Sequence, residues 1–190
     1  LVSLLFAALM LYRRRDIKRL FAYSSIEHMG IMTFAFGLGG PLANFAGLLH
    51  MTMHALTKSA IFFAVGHIAQ IKGTQRLAQI RGLSESNPLL ATGFALAVVA
   101  IAGLPPFGVF MSEFMLVSSS FARQPWLAVV LVFGLLLAFG ALGYAVAMPG
   151  LTLFGATFDA HTLLFASLAL MLGYQAVLFG WLARTMAARE

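Results

Sequence analysis

Three ionisable side chains define the chemistry that this 190-residue chain can do. His50, His54 and Lys58 recur every four positions inside an otherwise apolar stretch. Four positions is close to one turn of α-helix, so a helix here stacks all three on one face. A charged side chain at the centre of a membrane helix costs about 2.5–3.5 kcal/mol on insertion scales, so such a row calls for a use. Ionisable groups one turn apart, with water bridging the gaps, are what proton hopping requires. Histidine suits that task because its ordinary pKa of about 6.5 lets it load and unload near neutral pH. A lysine held out of water can exchange its proton as well. The alternative is that the histidines hydrogen-bond neighbouring helices while Lys58 snorkels to the interface. A lone histidine would favour that alternative; three groups in a row, one of them a lysine, favour the relay.

Further ionisable residues lie in neighbouring stretches. Glu113 follows the segment Gly103-Leu104-Pro105-Pro106-Phe107-Gly108. Tandem prolines remove two backbone donors and disfavour helix just before them, so a discontinuous helix with a break at membrane depth is expected. Backbone freed at such a break must line a cavity or meet protein, and ionisable residues beside it are typical of transporter sites. Glu113 therefore joins Lys58, His54 and His50 as a candidate for proton translocation, against the alternative of an interfacial acid at a helix end. Glu27, His28 and His67 are the further relay candidates. Glu27 adjoins His28 in the second apolar stretch; its alternative, a buried pair with a Lys or His of another helix, could itself belong to a relay. His67 lies nearly opposite Lys58 around the helix, where interface packing competes equally.

Other chemistries find little support. His50 and His54 have zinc-like spacing, but no Glu follows the first histidine and no third ligand lies nearby in sequence. There is no glycine-rich phosphate loop. With no cysteine in the chain, cysteine-ligated zinc and iron–sulfur clusters are excluded from it. The sequence predicts no catalytic residue, no cofactor, no metal and no redox chemistry in this chain.

The elements that must position these residues are membrane helices. Hydrophobic residues make up 61% of the chain and charged residues 9%, whereas a soluble domain carries about 25% charged residues to solvate its surface. The net charge is +6, but the basic residues cluster between apolar runs, which points to membrane topology and not to nucleic acid. No stretch alternates with the period of two of a barrel strand, and helices are the other way to satisfy backbone in lipid. The expected fold is all-α, a polytopic transmembrane bundle of about five full spans plus a partial first helix. The helices are expected over Leu1–Tyr12, Ile17–Leu38, Leu42–Ile71, a broken segment from Pro88 to Phe121, Pro125–Met148 and His161–Arg184, with a polar loop over Lys72–Asn87. Arg13, Arg14, Arg15, Lys18 and Arg19 should share the cytoplasmic side with Lys72, Arg76 and Arg81. Arg184 and Arg189 fall on the opposite side if every segment crosses once. The chain opens LVSLLFAALMLY and only then meets RRRDIKR. A signal peptide has the reverse order, and the apolar run is about half of what a span needs. It reads as the second half of a helix that begins upstream.

Three motifs carry a family resemblance: DIKRLFAYSSIEHMG at Asp16–Gly30, HALTKSAIFF at His54–Phe63, and AGLPPFGVFMSEF at Ala102–Phe114. In this order they resemble the antiporter-like membrane subunits shared by respiratory complex I, multisubunit sodium/proton antiporters and energy-converting hydrogenases. Glu27-His28 resembles the hydrogenase branch, in particular the large membrane subunit of formate-hydrogenlyase type. The resemblance implies that Lys58, His54 and His50 line a hydrated central axis and that Glu113 occupies the ionisable position of a Pro-broken helix. It implies a parent fold of two inverted repeats, of which only part of the second is here. It implies as partners the other membrane and peripheral subunits of a hydrogenase or complex I-like assembly in the bacterial inner membrane, with no nucleic acid. The resemblance covers residues 1–142, expected to be the C-terminal portion of a proton-translocating domain. Residues 143–190 are expected to be a divergent membrane segment of fused origin. Within them, Phe158–Thr185 resembles the membrane tail of family 2 glycosyltransferases, but without a catalytic domain no such activity is inferred. The implied function is that of a fragment of a proton-translocating subunit in a redox-driven complex. The alternatives are a Na+/H+ antiporter subunit and a non-catalytic truncated or fused membrane segment.

Overall fold

The computed structural model describes residues 1–80, 82–147, 152–153 and 156–157, with side chains described as far as residue 143. The helix expected at His161–Arg184, the segment Phe158–Thr185, Arg81 and the tail arginines lie outside the described residues. Seven α-helices are described: α1 (Val2–Leu11), α2 (Ile17–Leu38), α3 (Pro41–Lys72), α4 (Leu83–Ser86), α5 (Pro88–Ile101), α6 (Gly108–Arg123) and α7 (Pro125–Ala147). Besides them stand a 3-10 turn at Leu77–Gln79 and a two-residue antiparallel pair, Thr152–Leu153 with Ala156–Thr157. The described chain is thus a helical bundle. α3 and α7 are long and apolar enough to cross a membrane. α2 has the length, at 22 residues, but contains Lys18, Arg19 and Glu27.

Local chemistry explains the boundaries. Asp16 caps α2 by accepting from the Arg19 N–H at 3.0 Å. Asn87 caps α5 in the same way through the Leu90 N–H, with Pro88 at the first helical position, where its missing donor costs nothing. α2 and α3 are joined through Gly39 and Gly40, both at positive φ. The Arg123 guanidinium donates to the Gly39 carbonyl at 3.1 Å, closing the end of α2. Several hydroxyls inside the helices satisfy themselves locally: Ser25, Thr33, Thr52, Thr57 and Ser59 each donate to the carbonyl four residues back, which removes an orphan donor in an apolar surround.

α3 is one continuous helix of 32 residues, about 48 Å long at 1.5 Å per residue. That exceeds a bilayer core of about 30 Å, and since the helix does not break it must tilt or protrude. The segment expected as a polar loop after it is more ordered than its composition suggested. Leu77, Ile80 and Leu83 are buried in the core, and their anchoring draws the chain into the 3-10 turn and α4. The Ile17 N–H donates to the Gln75 carbonyl and the Leu77 N–H to the Arg15 carbonyl, each at 2.9 Å. These bonds hold the arginine-rich turn before α2 beside the turn after α3, so the basic residues of both lie at one end of the bundle.

The core is two apolar clusters with a polar layer between them. The cluster at the basic end takes Ile17, Leu20 and Phe21 from α2, Ile61, Val65 and Ile68 from α3, and Phe94, Val98, Ile101 and Val109 from the broken segment. The other takes Ile31 and Ala35 from α2, Ala43 and Ala46 from α3, and Leu116 and Val117 from α6. On the buried faces of these helices polar residues lie between the two clusters: Ser24, Glu27 and His28; His50, His54 and Lys58; and Ser112, with the half-buried Glu113 beside it.

Candidate functional site

The polar layer is assembled from three elements, and each places its side chains for a definite reason. On α3 the four-residue spacing puts His50, His54 and Lys58 on the buried face; they are 1%, 6% and 5% exposed. Lys58 does not snorkel. Its ammonium donates to the Phe21 carbonyl on α2 at 2.9 Å and lies 5.3 Å from the centre of the Phe21 ring. On α2, Glu27 and His28 are each 1% exposed, and the Glu27 carboxylate lies 3.7 Å from His28 Nε2.

His28 makes the link between helices. Its Nδ1 is 2.9 Å from His50 Nε2, and its ring centre lies 5.1 Å from those of both His50 and His54. The His50 and His54 rings are nearly parallel at 6.4 Å. Three imidazoles from two helices thus form a compact triangle. Sequence spacing gave the row on α3, but only the packing of α2 against α3 brings His28 onto it.

The third element is the break between α5 and α6. α5 ends with Gly103 in the left-handed region at φ +70°. The Gly103 N–H reaches the Ala100 carbonyl and the Leu104 N–H reaches the Val99 carbonyl, a Schellman-type closure that satisfies carbonyls at the helix end. The Pro105–Pro106 peptide is cis. α6 begins at Gly108, and its second turn carries Ser112 and Glu113. The Glu113 carboxyl folds back against the break: a Cβ on Gly103 would collide with it. Glu113, His28 and His50 place one donor atom each within 4.8 Å of one another. Glu113, expected as a companion of the α3 row across the broken helix, is thus beside its first member. His67 stands apart. It is exposed on α3, nine residues or about 13.5 Å of helix rise beyond Lys58.

Ser112 is the residue that sequence reasoning did not single out. Its Oγ lies 2.9 Å from His50 Nδ1 and donates to the Val109 carbonyl at 2.7 Å. A carbonyl can only accept, so the Ser112 hydroxyl proton is committed to Val109. With that proton on Val109, Ser112 accepts from His50, which assigns the hydrogen to His50 Nδ1 and the lone pair to Nε2. His28 Nδ1 in turn carries the hydrogen between the two rings. The available signal was Ser112's position beside Glu113 just after the break. Among the described residues, the buried side-chain atoms without a hydrogen-bond partner are Ser24 Oγ, Glu27 Oε2, His28 Nε2, His54 Nε2 and Ser118 Oγ. Four of the five belong to the polar layer.

Comparison with known proteins places the chain as a whole. Over 142 residues the chain is 69% identical to a hydrogenase-4 component F homolog of Methylacidiphilum infernorum, covering 75% of this chain and 30% of that protein. It is 34% identical over 138 residues to NADH-quinone oxidoreductase subunit N of Desulforudis audaxviator, covering 72% of this chain and 28% of that one. The chain therefore spans less than a third of the length of these relatives. Among solved structures, a chain of respiratory complex I from Thermus thermophilus superposes with a TM-score of 0.74 at 25% identity, covering 90% of this chain and 38% of that chain. The family model for the transmembrane subunits of NADH:quinone oxidoreductase and Mrp antiporters matches residues 1–140. This chain is an integral membrane protein and belongs to that family.

Proposed function

We propose that the polar layer is part of a proton path in a redox-driven membrane complex of the hydrogenase or complex I-like kind, and that Lys58, His54, His50 and Glu113 carry protons along it. The observation that carries this reading is the convergence of Glu27, His28, His50, His54, Lys58 and Glu113 into one layer between two apolar clusters. Ionisable groups buried together at that depth are costly unless used. Their hydrogen-bond pattern suits directional transfer. His28 Nε2, which has no hydrogen-bond partner, lies 3.7 Å from the Glu27 carboxylate, so a proton delivered there from Glu27 through a bridging water would free a Nδ1 proton to pass to His50 Nε2. Glu113 is the acceptor within reach of that nitrogen. The unpartnered atoms of Ser24, Glu27, His28 and His54 are those that water in such a path would satisfy. His67 has no place in this scheme.

In the same reading α2, α3, the broken α5–α6 segment and α7 lie across the bilayer and α1, about half a span long, packs beside them, with the basic end cytoplasmic. The chain is a portion of a larger subunit that assembles with other membrane and peripheral subunits. Residues 143–190 are of separate, fused origin, a division supported by the end of the family match at residue 140. The redox cofactors belong to partner subunits. Na+/H+ exchange is the second reading, favoured by the antiporters in the same family.

Replacement of Lys58 by Met in the full-length subunit tests the proposal. Proton translocation coupled to the complex's redox reaction is expected to fall at least tenfold, about 1.4 kcal/mol, while subunit assembly is retained. Translocation at the wild-type rate in an assembled complex refutes the relay. A requirement for sodium in the same proteoliposome assay would favour the second reading.

A further inference from the structure

We infer that the polar layer contains a transition-metal site of zinc type, formed by His28, His50 and Glu113 from three different helices. The spacing of His50 and His54 offers only two ligands on one helix. The fold supplies the others by packing α2 and α6 against α3, so that one donor atom from each of His28, His50 and Glu113 falls within 4.8 Å of the others. Ligands of a tetrahedral zinc at about 2.0–2.1 Å stand roughly 3.3 Å apart, so no pair of donor atoms in the trio has to close by more than about 1.5 Å. The His28–His50 nitrogens are already at 2.9 Å.

Two features make this more than a cluster of polar groups. His50 is held as a metal-binding histidine is usually held: its Nδ1 is engaged by Ser112, which turns Nε2 toward His28. His28 reaches the trio through Nδ1, so binding requires that ring's hydrogen to move to Nε2, which is buried without a partner and lies 3.7 Å from the Glu27 carboxylate. Two imidazoles and one carboxylate, with a fourth position open, select Zn2+, Co2+ or Ni2+ over the oxygen-seeking Mg2+ and Ca2+. The Glu113 carboxylate would offset part of the dication's charge, and Glu27 beside His28 supplies a second acid nearby. The metal would take the lone pairs that the proposed relay uses, so bound zinc would block proton transfer; that consequence rests on the relay reading, whereas the binding site does not.

The test uses the full-length subunit in its assembled complex, stripped with a chelator and dialysed against micromolar Zn2+. Wild type is expected to retain one more zinc per complex than Glu113→Gln, His28→Gln or His50→Gln, measured by elemental mass spectrometry. Its zinc-edge absorption difference spectrum is expected to show two imidazole nitrogens. Glu113→Asp keeps a carboxylate and is expected to hold the ion about tenfold more weakly. It separates loss of the ligand from damage to the fold. Equal zinc content in wild type and all three Gln variants, in complexes of normal subunit composition, overturns the site. One extra zinc in wild type with translocation unaffected supports the site and overturns the relay.

Discussion

At the level of single residues, what was legible is what one helix can hold. His50, His54 and Lys58 share a face because of their spacing alone, and the buried face of α3 is the face that carries them. His28 was legible only as a neighbour of Glu27, because its approach to His50 depends on how two helices rotate against each other. Ser112 was missed for a related reason. A serine in an apolar helix usually bonds to its own backbone, and Ser112 does that too, through Val109; the second contact, to His50, is a tertiary event. That contact gives the first prediction. Ser112→Ala frees His50 Nδ1 to lose its hydrogen and lets the ring take the other tautomer. Proton translocation is expected to slow three- to tenfold, about 0.7–1.4 kcal/mol, with a shifted pH profile and normal assembly. Ser112→Thr, which restores the hydroxyl, should recover most of the rate. Were Ser112 only a packing residue, the alanine variant would leave the pH profile unmoved.

At the level of elements, punctuation decided the outcome. Pro41, Pro88 and Pro125 each open a helix, and Gly39 and Gly73 each follow one, which is why the expected boundaries of the first five helical segments fall close to those observed. The segment after α3 was read as a plain loop because its polar residues outnumber its apolar ones. Leu77, Ile80 and Leu83 nevertheless plug the end of the bundle, an effect of long-range packing that local composition cannot display. At the break, Gly103 combines a left-handed backbone with close approach to the Glu113 carboxyl. Gly103→Ala is therefore expected to destabilise the full-length subunit by about 1–2 kcal/mol from backbone strain alone and to push Glu113 away from His28 and His50. A lower thermal midpoint, together with reduced translocation that Glu113→Gln does not lower further, would establish the coupling. Independent, additive losses would argue against it.

At the level of the whole molecule, composition was enough to announce a membrane bundle, but not its layering. The alternation of apolar cluster, polar layer and apolar cluster emerges only when antiparallel α2 and α3 and the broken α5–α6 segment are superimposed at one depth. The layering predicts that each apolar cluster acts as a seal. Ile31 is fully buried on the side away from the basic end. Ile31→Asn introduces a polar group there at a cost of about 1–3 kcal/mol and should draw in water. Proteoliposomes holding the variant complex should dissipate a pH gradient several-fold faster than wild type without any redox substrate. An unchanged passive leak in a folded variant would show that the seal lies elsewhere.

On the proposed path, the same sandwich would set where the membrane voltage falls. Apolar slabs polarise weakly and take most of the drop, while a layer of imidazoles, carboxyls and an ammonium polarises readily and takes little. Moving one elementary charge through a full 100 mV is worth about 2.3 kcal/mol. A proton passing sideways among Glu27, His28, His50 and Glu113 stays at nearly constant potential, whereas one entering or leaving through either slab does electrical work. Voltage would then bear on the loading and discharge of this layer and leave the transfers within it almost untouched.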